Sequence, residues 1–104
     1  MVLARLNRLL ARLTPVRSVR LAAARPLASI TFDDFPKSAW SRGGPILAHY
    51  KVRGTYYAAG GFCGRTVDGT VFYDEQDLRA AAAAGHEIAC HGFAHQPTPS
   101  LATR

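Results

Sequence analysis

The sequence predicts an α/β domain with a three-stranded parallel sheet, its elements arranged β-α-β-α-β. Apolar segments of strand length recur along the chain, and they begin at Ser29, Thr55 and Glu87. Helix-forming segments separate them, and each strand-helix unit takes roughly 30 residues, as in parallel βα repeats. Glycine and proline residues mark the ends of the segments, so each element can be placed along the chain.

The first strand, ASITF at 28–32, is predicted from its apolar and β-branched residues. A turn follows it at Phe35 and Pro36. The second strand is predicted within GTYYAA, and the third within EIAC at 87–90. Between the second strand and the next helix, GGFCGRTVDGTVF at 60–72 is interpreted as a glycine-rich loop.

Two helices are predicted between the strands. GGPILAHY at 43–50 forms a short helix, because Pro45 suits the first helical position. The alanine-rich segment that follows the loop forms a longer one. Asp74 can cap its first turn, Asp77 lies three residues later as in a capping box, and Gly85 ends the helix.

A basic amphipathic helix and linker, residues 1–27, precede the domain at 28–104. Four leucines recur at helical spacing, at Leu3, Leu6, Leu10 and Leu13. Three arginines lie between them, Arg5, Arg8 and Arg12, and Pro15 ends the helix. We expect the leucines to pack on the domain and the arginines to face water. An organelle presequence and a helix that contacts a membrane surface remain alternatives.

The net charge of +6 belongs to this N-terminal segment. Residues 1–32 carry six arginines and no acidic residue, whereas from Asp33 onward seven basic and seven acidic side chains balance. The arginines lack interleaved aromatic residues, and no recognition motif follows them. Binding to nucleic acid is therefore not expected.

Cysteine usage and the N-terminus favour a cytoplasmic location. Cys63 and Cys90 lie in no CxxC motif and are expected to be free, buried thiols in a reducing compartment, although pairing between them is not excluded. Arginines interrupt the apolar stretch that a signal peptide would need, so secretion is disfavoured. No apolar stretch approaches the roughly 18 residues that span a bilayer.

Four polar side chains follow the first and third strands. Asp33 and Asp34 come directly after the first strand, and His91 and His95 come after the third. The carboxyl ends of parallel strands meet at one edge of a sheet, so we expect these groups to lie together. Two histidines and one carboxylate are sufficient ligands for a catalytic zinc-type site. One aspartate can then bind the metal while the other remains free as a base.

Each of these motifs has a more ordinary interpretation when it is taken alone. A pair of aspartates after a strand is most often a helix cap or a solvated turn, and either histidine could only bind backbone groups. His86 is expected to be structural, and His49 to lie at the surface near the end of the first helix. The combination is stronger, because both motifs fall at matching strand ends.

TFDDF at 31–35 and GHEIACHGFAH at 85–95 resemble the first two motifs of the polysaccharide deacetylases, the NodB-type carbohydrate esterases. VRGTYYAAGGFCG resembles that family's second strand and the loop after it. The resemblance implies the N-terminal part of a distorted (β/α) barrel of the glycoside hydrolase and deacetylase type. It implies hydrolysis of N-acetyl or O-acetyl groups on a polysaccharide or amino sugar, so the expected partner is an acetylated carbohydrate.

By motif position, the resemblance assigns Asp33 as the catalytic base and Asp34, His91 and His95 as metal ligands. Zinc is the expected ion, with cobalt or nickel as alternatives. The sequence departs from the family pattern at two places. Phe35 stands where glycine usually follows the aspartates, and Gly92 stands where serine or threonine usually follows the first histidine. We expect Phe35 to alter the floor of the site and Gly92 to loosen the ligand loop.

The family continues beyond its second motif with an arginine-bearing motif, a further aspartate and a late histidine that acts as general acid. After His95 this sequence has only QPTPSLATR. We therefore expect a truncated form that is inactive alone and self-associates through open sheet edges. Two alternatives stand beside a deacetylase: a non-catalytic metal- or carbohydrate-binding protein, and a small basic module that binds a membrane or partner.

Overall fold

The computed structural model describes residues 2–13 and 19–97 of the 104-residue chain. Its helices are α1 (Val2–Leu13), α2 (Gly44–His49) and α3 (Glu75–Ala83). Its strands are β1 (Thr31–Phe32), β2 (Thr55–Ala58), β3 (Thr66–Val67), β4 (Thr70–Val71) and β5 (Glu87–Cys90). The predicted stop at Pro15 and the end of the C-terminal tail lie outside the described residues.

A parallel sheet with the order β1-β2-β5 organises the domain, so the predicted mixed α/β class is confirmed. Thr55 of the central strand pairs with Thr31 on one side and with Glu87 on the other. The second and third predicted strands begin at the residues expected. The first is shorter than predicted, because before Thr31 only the carbonyl of Ile30 joins the sheet, accepting from Thr55 N–H at 3.0 Å. The barrel and self-association remain predictions.

Helix α3 begins and ends as the sequence predicts. The Asp74 side chain accepts a hydrogen bond from Asp77 N–H at 2.9 Å, and the Asp77 side chain accepts from Asp74 N–H at 3.1 Å. These reciprocal bonds satisfy two of the amide groups that every helix start leaves unpaired. Gly85 follows the helix with φ of +85°, a conformation that glycine adopts without strain. Lys37 ties this helix start to the segment after β1, with Nζ 3.0 Å and 2.7 Å from the two carboxylates.

Helix α2 is preceded by a five-residue π-helix, Ala39–Gly43, that the sequence analysis did not predict. Gly44 opens α2 against the ring of Trp40, and a Cβ at this glycine would lie only 2.7 Å from the ring. The close approach of Trp40 therefore depends on glycine at this position. His49 ends α2 at the surface, as predicted.

The segment 60–72 is not a simple loop, and the sequence interpretation was wrong there. It contains a hairpin of β3 and β4, which pair antiparallel. Asp68 and Gly69 connect the strands with φ of 49° and 79°. Positive φ at both central residues is typical of the tightest hairpin turns, for which Asp-Gly between β-branched residues is a strong sequence signal.

The core is a stack of aromatic rings. The ring centroid of Phe35 lies 4.7 Å from that of Tyr56 and 4.8 Å from that of Tyr73, and all three side chains are buried. The buried hydroxyl of Tyr73 donates to the carbonyl of Ala59 at 2.9 Å, so the ring is buried without an unpaired polar atom. Phe35 was expected to shape the floor of the site. Its ring instead lies within the core.

The leucine face of α1 is exposed, contrary to the expectation that it packs on the domain. Of the four leucines expected to pack, the exposed fractions are 53% for Leu6, 47% for Leu10 and 68% for Leu13, and the side chain of Leu3 lies outside the described residues. In the residues that the structure describes, no helix has the length and apolar content needed to cross a membrane. The apolar face is therefore left without the cover that the sequence analysis assigned to it.

Candidate metal centre

The sheet brings Asp34, His91 and His95 together at the carboxyl ends of its two outer strands. Asp34 lies two residues after β1, and His91 directly follows β5. His91 N–H donates to the carbonyl of Ala58 at 3.0 Å, which extends the pairing of β5 with β2 by one step. The first histidine is thus positioned by sheet hydrogen bonds rather than by a free loop.

The three side chains form a compact ligand cluster. One ligand atom from each of them lies within 4.8 Å of the others. Nε2 of His91 is 3.2 Å from Asp34 Oδ1, and Nε2 of His95 is 2.8 Å from the same oxygen. Among the residues that the structure describes, these three are the group placed closely enough to hold a metal ion together.

Asp34 Oδ1 supports this assignment because it is buried without a hydrogen bond. Both imidazole nitrogens are close to it, but neither makes a hydrogen bond with it. Buried polar atoms are nearly always satisfied, so an orphaned carboxylate oxygen at the centre of two imidazoles requires an explanation. Two nitrogens and one oxygen that converge on a point fit a divalent cation, with a coordination position left for water.

The backbone around the ligands adopts unusual conformations. Asp34, Phe35 and His95 have φ of 63°, 57° and 50°, in the left-handed region that non-glycine residues rarely occupy. Such conformations cost about 1–3 kcal/mol each and are found mostly at functional sites. The buried ring of Phe35 holds the turn in place, so packing in the core offsets part of this strain.

Gly92, the second departure from the family pattern, also has a conformation that explains the residue type. Its φ is +76°, which glycine adopts without a steric penalty. Its N–H donates to Cys90 Sγ at 3.3 Å, so the turn between the histidine ligands retains an ordering contact without a hydroxyl. Cys63 and Cys90 are both free, but the expectation that both are buried was wrong, because Cys63 is half-buried and Cys90 is exposed at the end of β5.

Two glycines after β2 support the turn that carries His95, and the sequence analysis did not single them out. Gly61 N–H donates to the carbonyl of Phe93 at 2.8 Å. A Cβ at Gly61 would lie 2.7 Å from that carbonyl oxygen, and one at Gly60 would lie 2.8 Å from the Phe93 ring. The glycine pair directly after a strand was the available signal, because it permits one backbone to approach another closely.

Aromatic rings border both imidazoles. Tyr57 on β2 has its ring centroid 6.0 Å from that of His91, and Phe62 lies 5.4 Å from His95. The two imidazole centroids are themselves 5.3 Å apart. These contacts restrict the rotation of both rings and favour the orientation in which the two nitrogens point at Asp34.

Asp33 lies beside the cluster but does not belong to it. Its side chain is exposed, and it directly precedes the carboxylate that joins the two histidines. The two remaining histidines lie elsewhere. His86 is buried before β5, where its Nδ1 accepts a hydrogen bond from Gly54 N–H at 3.0 Å, and His49 is exposed at the end of α2. Both have the structural or surface positions predicted for them.

A parallel α/β sheet with an aspartate and two histidines at its carboxyl edge defines the class of a candidate metal-assisted hydrolase. The sequence profile of one family, described as polysaccharide deacetylase, matches residues 21–104. The chain therefore belongs to the polysaccharide deacetylase family, as the motif resemblance predicted. Comparison with curated proteins gives no match.

Proposed function

We propose that the protein is a metal-dependent deacetylase that hydrolyses N-acetyl or O-acetyl groups on a polysaccharide or amino sugar. The observation that carries the proposal is the convergence of Asp34, His91 and His95 within 4.8 Å. Membership of the polysaccharide deacetylase family supports deacetylation as the reaction class. The orphaned Asp34 oxygen supports the metal, because a cation would satisfy it.

Asp34, His91 and His95 would hold the ion, and zinc suits two imidazoles and one carboxylate, with cobalt or nickel as alternatives. A divalent cation held there would polarise the acetyl carbonyl and lower the pKa of its bound water toward about 7. The imidazoles bind it in their neutral form, so acidification should release the ion.

Asp33 would act as the general base. Its carboxylate is exposed and adjacent to Asp34 in the chain, so it can accept a proton from water as that water attacks the acetyl carbon. A positioned base of this kind contributes roughly 10²–10⁴-fold in rate. The bond from the acetyl carbon to the sugar nitrogen or oxygen then breaks, and acetate is released.

The leaving group sets a further condition on the reaction. An amine must gain a proton as it leaves, whereas a phenolate can leave without one. His91 and His95 are candidate ligands, His86 is buried, and His49 ends α2, so none of these histidines is placed to supply that proton. We therefore expect hydrolysis of 4-nitrophenyl acetate to exceed acetate release from acetylated glucosamine oligomers.

The decisive experiment measures metal content and acetate release separately. Wild type, Asp33→Asn and Asp34→Asn are loaded with Zn²⁺, Co²⁺ or Ni²⁺ and dialysed, and the bound metal is counted. We expect about one ion per chain in wild type and Asp33→Asn and much less in Asp34→Asn. Ester hydrolysis should fall by roughly 10²–10⁴-fold in Asp33→Asn despite the retained metal.

Each contrary result has a definite meaning. Equal metal retention in all three proteins would refute the ligand assignment. Loss of metal in Asp33→Asn with retention in Asp34→Asn would show that the two aspartates have exchanged roles. Metal binding with no hydrolysis of ester or amide would overturn the proposed activity of this chain, and it is expected both for a form that is inactive alone and for a non-catalytic metal- or carbohydrate-binding protein.

A further inference from the structure

The exposed face of α1 consists of apolar side chains that fall on one side of the helix. Val2, Leu6, Leu9 and Leu13 are 80%, 53%, 55% and 68% exposed. At 3.6 residues per turn these four positions fall within an arc of about 60°. Scattered exposed leucines are ordinary on protein surfaces, but a continuous stripe along one helix marks an interaction surface.

The charge of the surrounding segment restricts what can cover this stripe. Residues 1–32 carry six arginines and no acidic residue, and Arg5 is exposed beside the stripe. Two copies of such a segment repel each other, so a second copy of this chain is disfavoured as the occupant. Two of the domain's own carboxylates, Asp74 and Asp77, are already paired with Lys37.

We propose that α1 lies in the plane of an anionic lipid bilayer. The leucine stripe would enter the boundary between headgroups and acyl chains, and the arginines would remain at the level of the lipid phosphates. A nucleic acid would satisfy the arginines but leave the leucines in water, whereas a bilayer surface satisfies both. The inference concerns a surface separate from the metal centre and does not depend on the proposed function.

The first test uses the full chain and vesicles of two compositions, phosphatidylcholine alone and phosphatidylcholine with one third phosphatidylglycerol. Flotation should recover the protein with the anionic vesicles at an affinity at least about ten-fold higher than with the neutral ones. Raising the salt concentration should weaken this preference, because it screens the arginines. Arg5→Gln should lower the affinity for anionic vesicles by about five-fold.

The second test asks whether vesicle binding depends on the leucines of α1 in particular or on exposed leucines anywhere in the N-terminal segment. The double variant Leu6→Gln, Leu9→Gln should bind anionic vesicles at least about ten-fold more weakly. Its matched control is Leu21→Gln, Leu27→Gln, which removes two leucines that are 84% and 82% exposed outside the helix. The control should bind like wild type, and thermal unfolding of both variants should match wild type.

Several outcomes would overturn the inference. Equal losses of binding in the two double variants would show that α1 has no special role. Equal affinity for neutral and anionic vesicles would overturn the proposal that α1 binds an anionic bilayer through its arginines. Concentration-dependent dimerisation that depends on Leu6 and Leu9 would identify a second copy as the occupant. Binding to single-stranded RNA that tolerates loss of both leucines, with no binding to vesicles, would identify a nucleic acid.

Discussion

The two ends of the parallel sheet both place histidine beside β5, and the two ends are built in opposite ways. Before the strand, His86 is buried, its Nδ1 accepts a hydrogen bond from Gly54, and its ring packs edge-on against Trp40 and Tyr56. After the strand, His91 and His95 point at a buried oxygen that has no hydrogen bond. One end is a satisfied core, and the other is a group of side chains that could hold a metal ion.

The comparison shows that residue type alone does not separate a structural histidine from a candidate ligand. What separates them is whether neighbouring polar atoms are satisfied by the protein itself. Gly54 N–H donates to His86 Nδ1, so both buried polar atoms have a hydrogen-bond partner within the protein at the amino end of β5. At the carboxyl end Asp34 Oδ1 is buried without a hydrogen bond, and two imidazole nitrogens lie within 3.2 Å of it, an arrangement that could hold a cation.

The largest expected effect is the loss of metal affinity in His91→Ala. Removal of one ligand of three should weaken binding of Zn²⁺ by more than about 100-fold, since changes one shell further out already cost 10–100-fold. His86→Ala, at the other end of the same strand, should leave metal affinity within about two-fold of wild type. Isothermal titration with Zn²⁺ measures both, and comparable losses in the two variants would contradict the contrast drawn between the two ends.

The order of the two variants should reverse for stability, so His86→Ala should lower the free energy of unfolding more than His91→Ala. His86→Ala leaves Gly54 N–H buried without an acceptor, which costs about 1–3 kcal/mol of unfolding free energy. His91→Ala in metal-free protein should cost less, because its imidazole is one-third exposed and makes no hydrogen bond with Asp34 Oδ1, the carboxylate oxygen nearest to it among the described residues. Urea unfolding in the presence of a chelator gives both values, and a larger loss in His91→Ala would be evidence against a ligand role for that residue.

A smaller effect is expected from the turn that carries His95. In Gly61→Ala the new Cβ would lie 2.7 Å from the Phe93 carbonyl oxygen, so the turn must move and the third ligand with it. We expect metal affinity to fall by about ten-fold, as for other changes in the support of a ligand. Gly43→Ala is the matched control, because it adds the same methyl group in an ordinary helical conformation and against the Phe32 side chain rather than against the backbone that carries His95. Equal affinity in the two variants would show that the Gly61 contact is not needed.

The smallest effect concerns pH and the start of α3. The hydrogen bond from the Asp77 backbone and the ammonium of Lys37 hold the pKa of Asp74 below its ordinary value. The carboxylates of Asp77 and Asp74 raise the pKa of Lys37. The aspartate contribution to stability is therefore present above about pH 3.9 and is lost as pH falls through the lowered pKa. The lysine contribution is complete below about pH 10.4 and is lost as pH rises through the raised pKa.

Lys37→Gln should accordingly lower the midpoint of thermal unfolding at pH 7, and the difference from wild type should shrink at pH 2–3. Lys37 and Asp74 are partly exposed and only Asp77 is largely buried, so the change should be small and sensitive to salt. Arg79→Gln is the control, because its pair with Glu75 lies on one exposed helix face and should contribute still less. A difference for Lys37→Gln that grows in acid would contradict the sign of the pKa shifts.

Local patterns in the sequence predicted much of this structure. The capping residues of α3, the span of β5 and the start of β2 follow from residues that act on their near neighbours. The approach of Asp34 to His91 also followed, because parallel strands leave their carboxyl ends at one edge. The hairpin of β3 and β4 was not predicted, although its Asp-Gly turn is a hairpin signal in the sequence. Glycine occurs both in irregular loops and in tight hairpin turns, and only the flanking β-branched residues distinguish the two.

Other features depend on contacts that no local pattern contains. The turn residue Phe35 is buried because its ring packs against the rings of Tyr56 and Tyr73, which lie far from it in the sequence. The π-helix before α2 has no periodic signature in the sequence. The exposed leucines of α1 also depend on information outside the local pattern. Helical spacing predicts an apolar face, but it does not predict which surface covers that face.

Asp34 and His91 are roughly sixty residues apart in the sequence, so an ion held by both would close that stretch of chain into a ring. A permanent bridge over such a distance restricts the unfolded chain by about 4 kcal/mol. An exchangeable ion acts instead through mass action, because it favours the folded chain in proportion to its free concentration. The midpoint of thermal unfolding would then report how much free metal surrounds the protein.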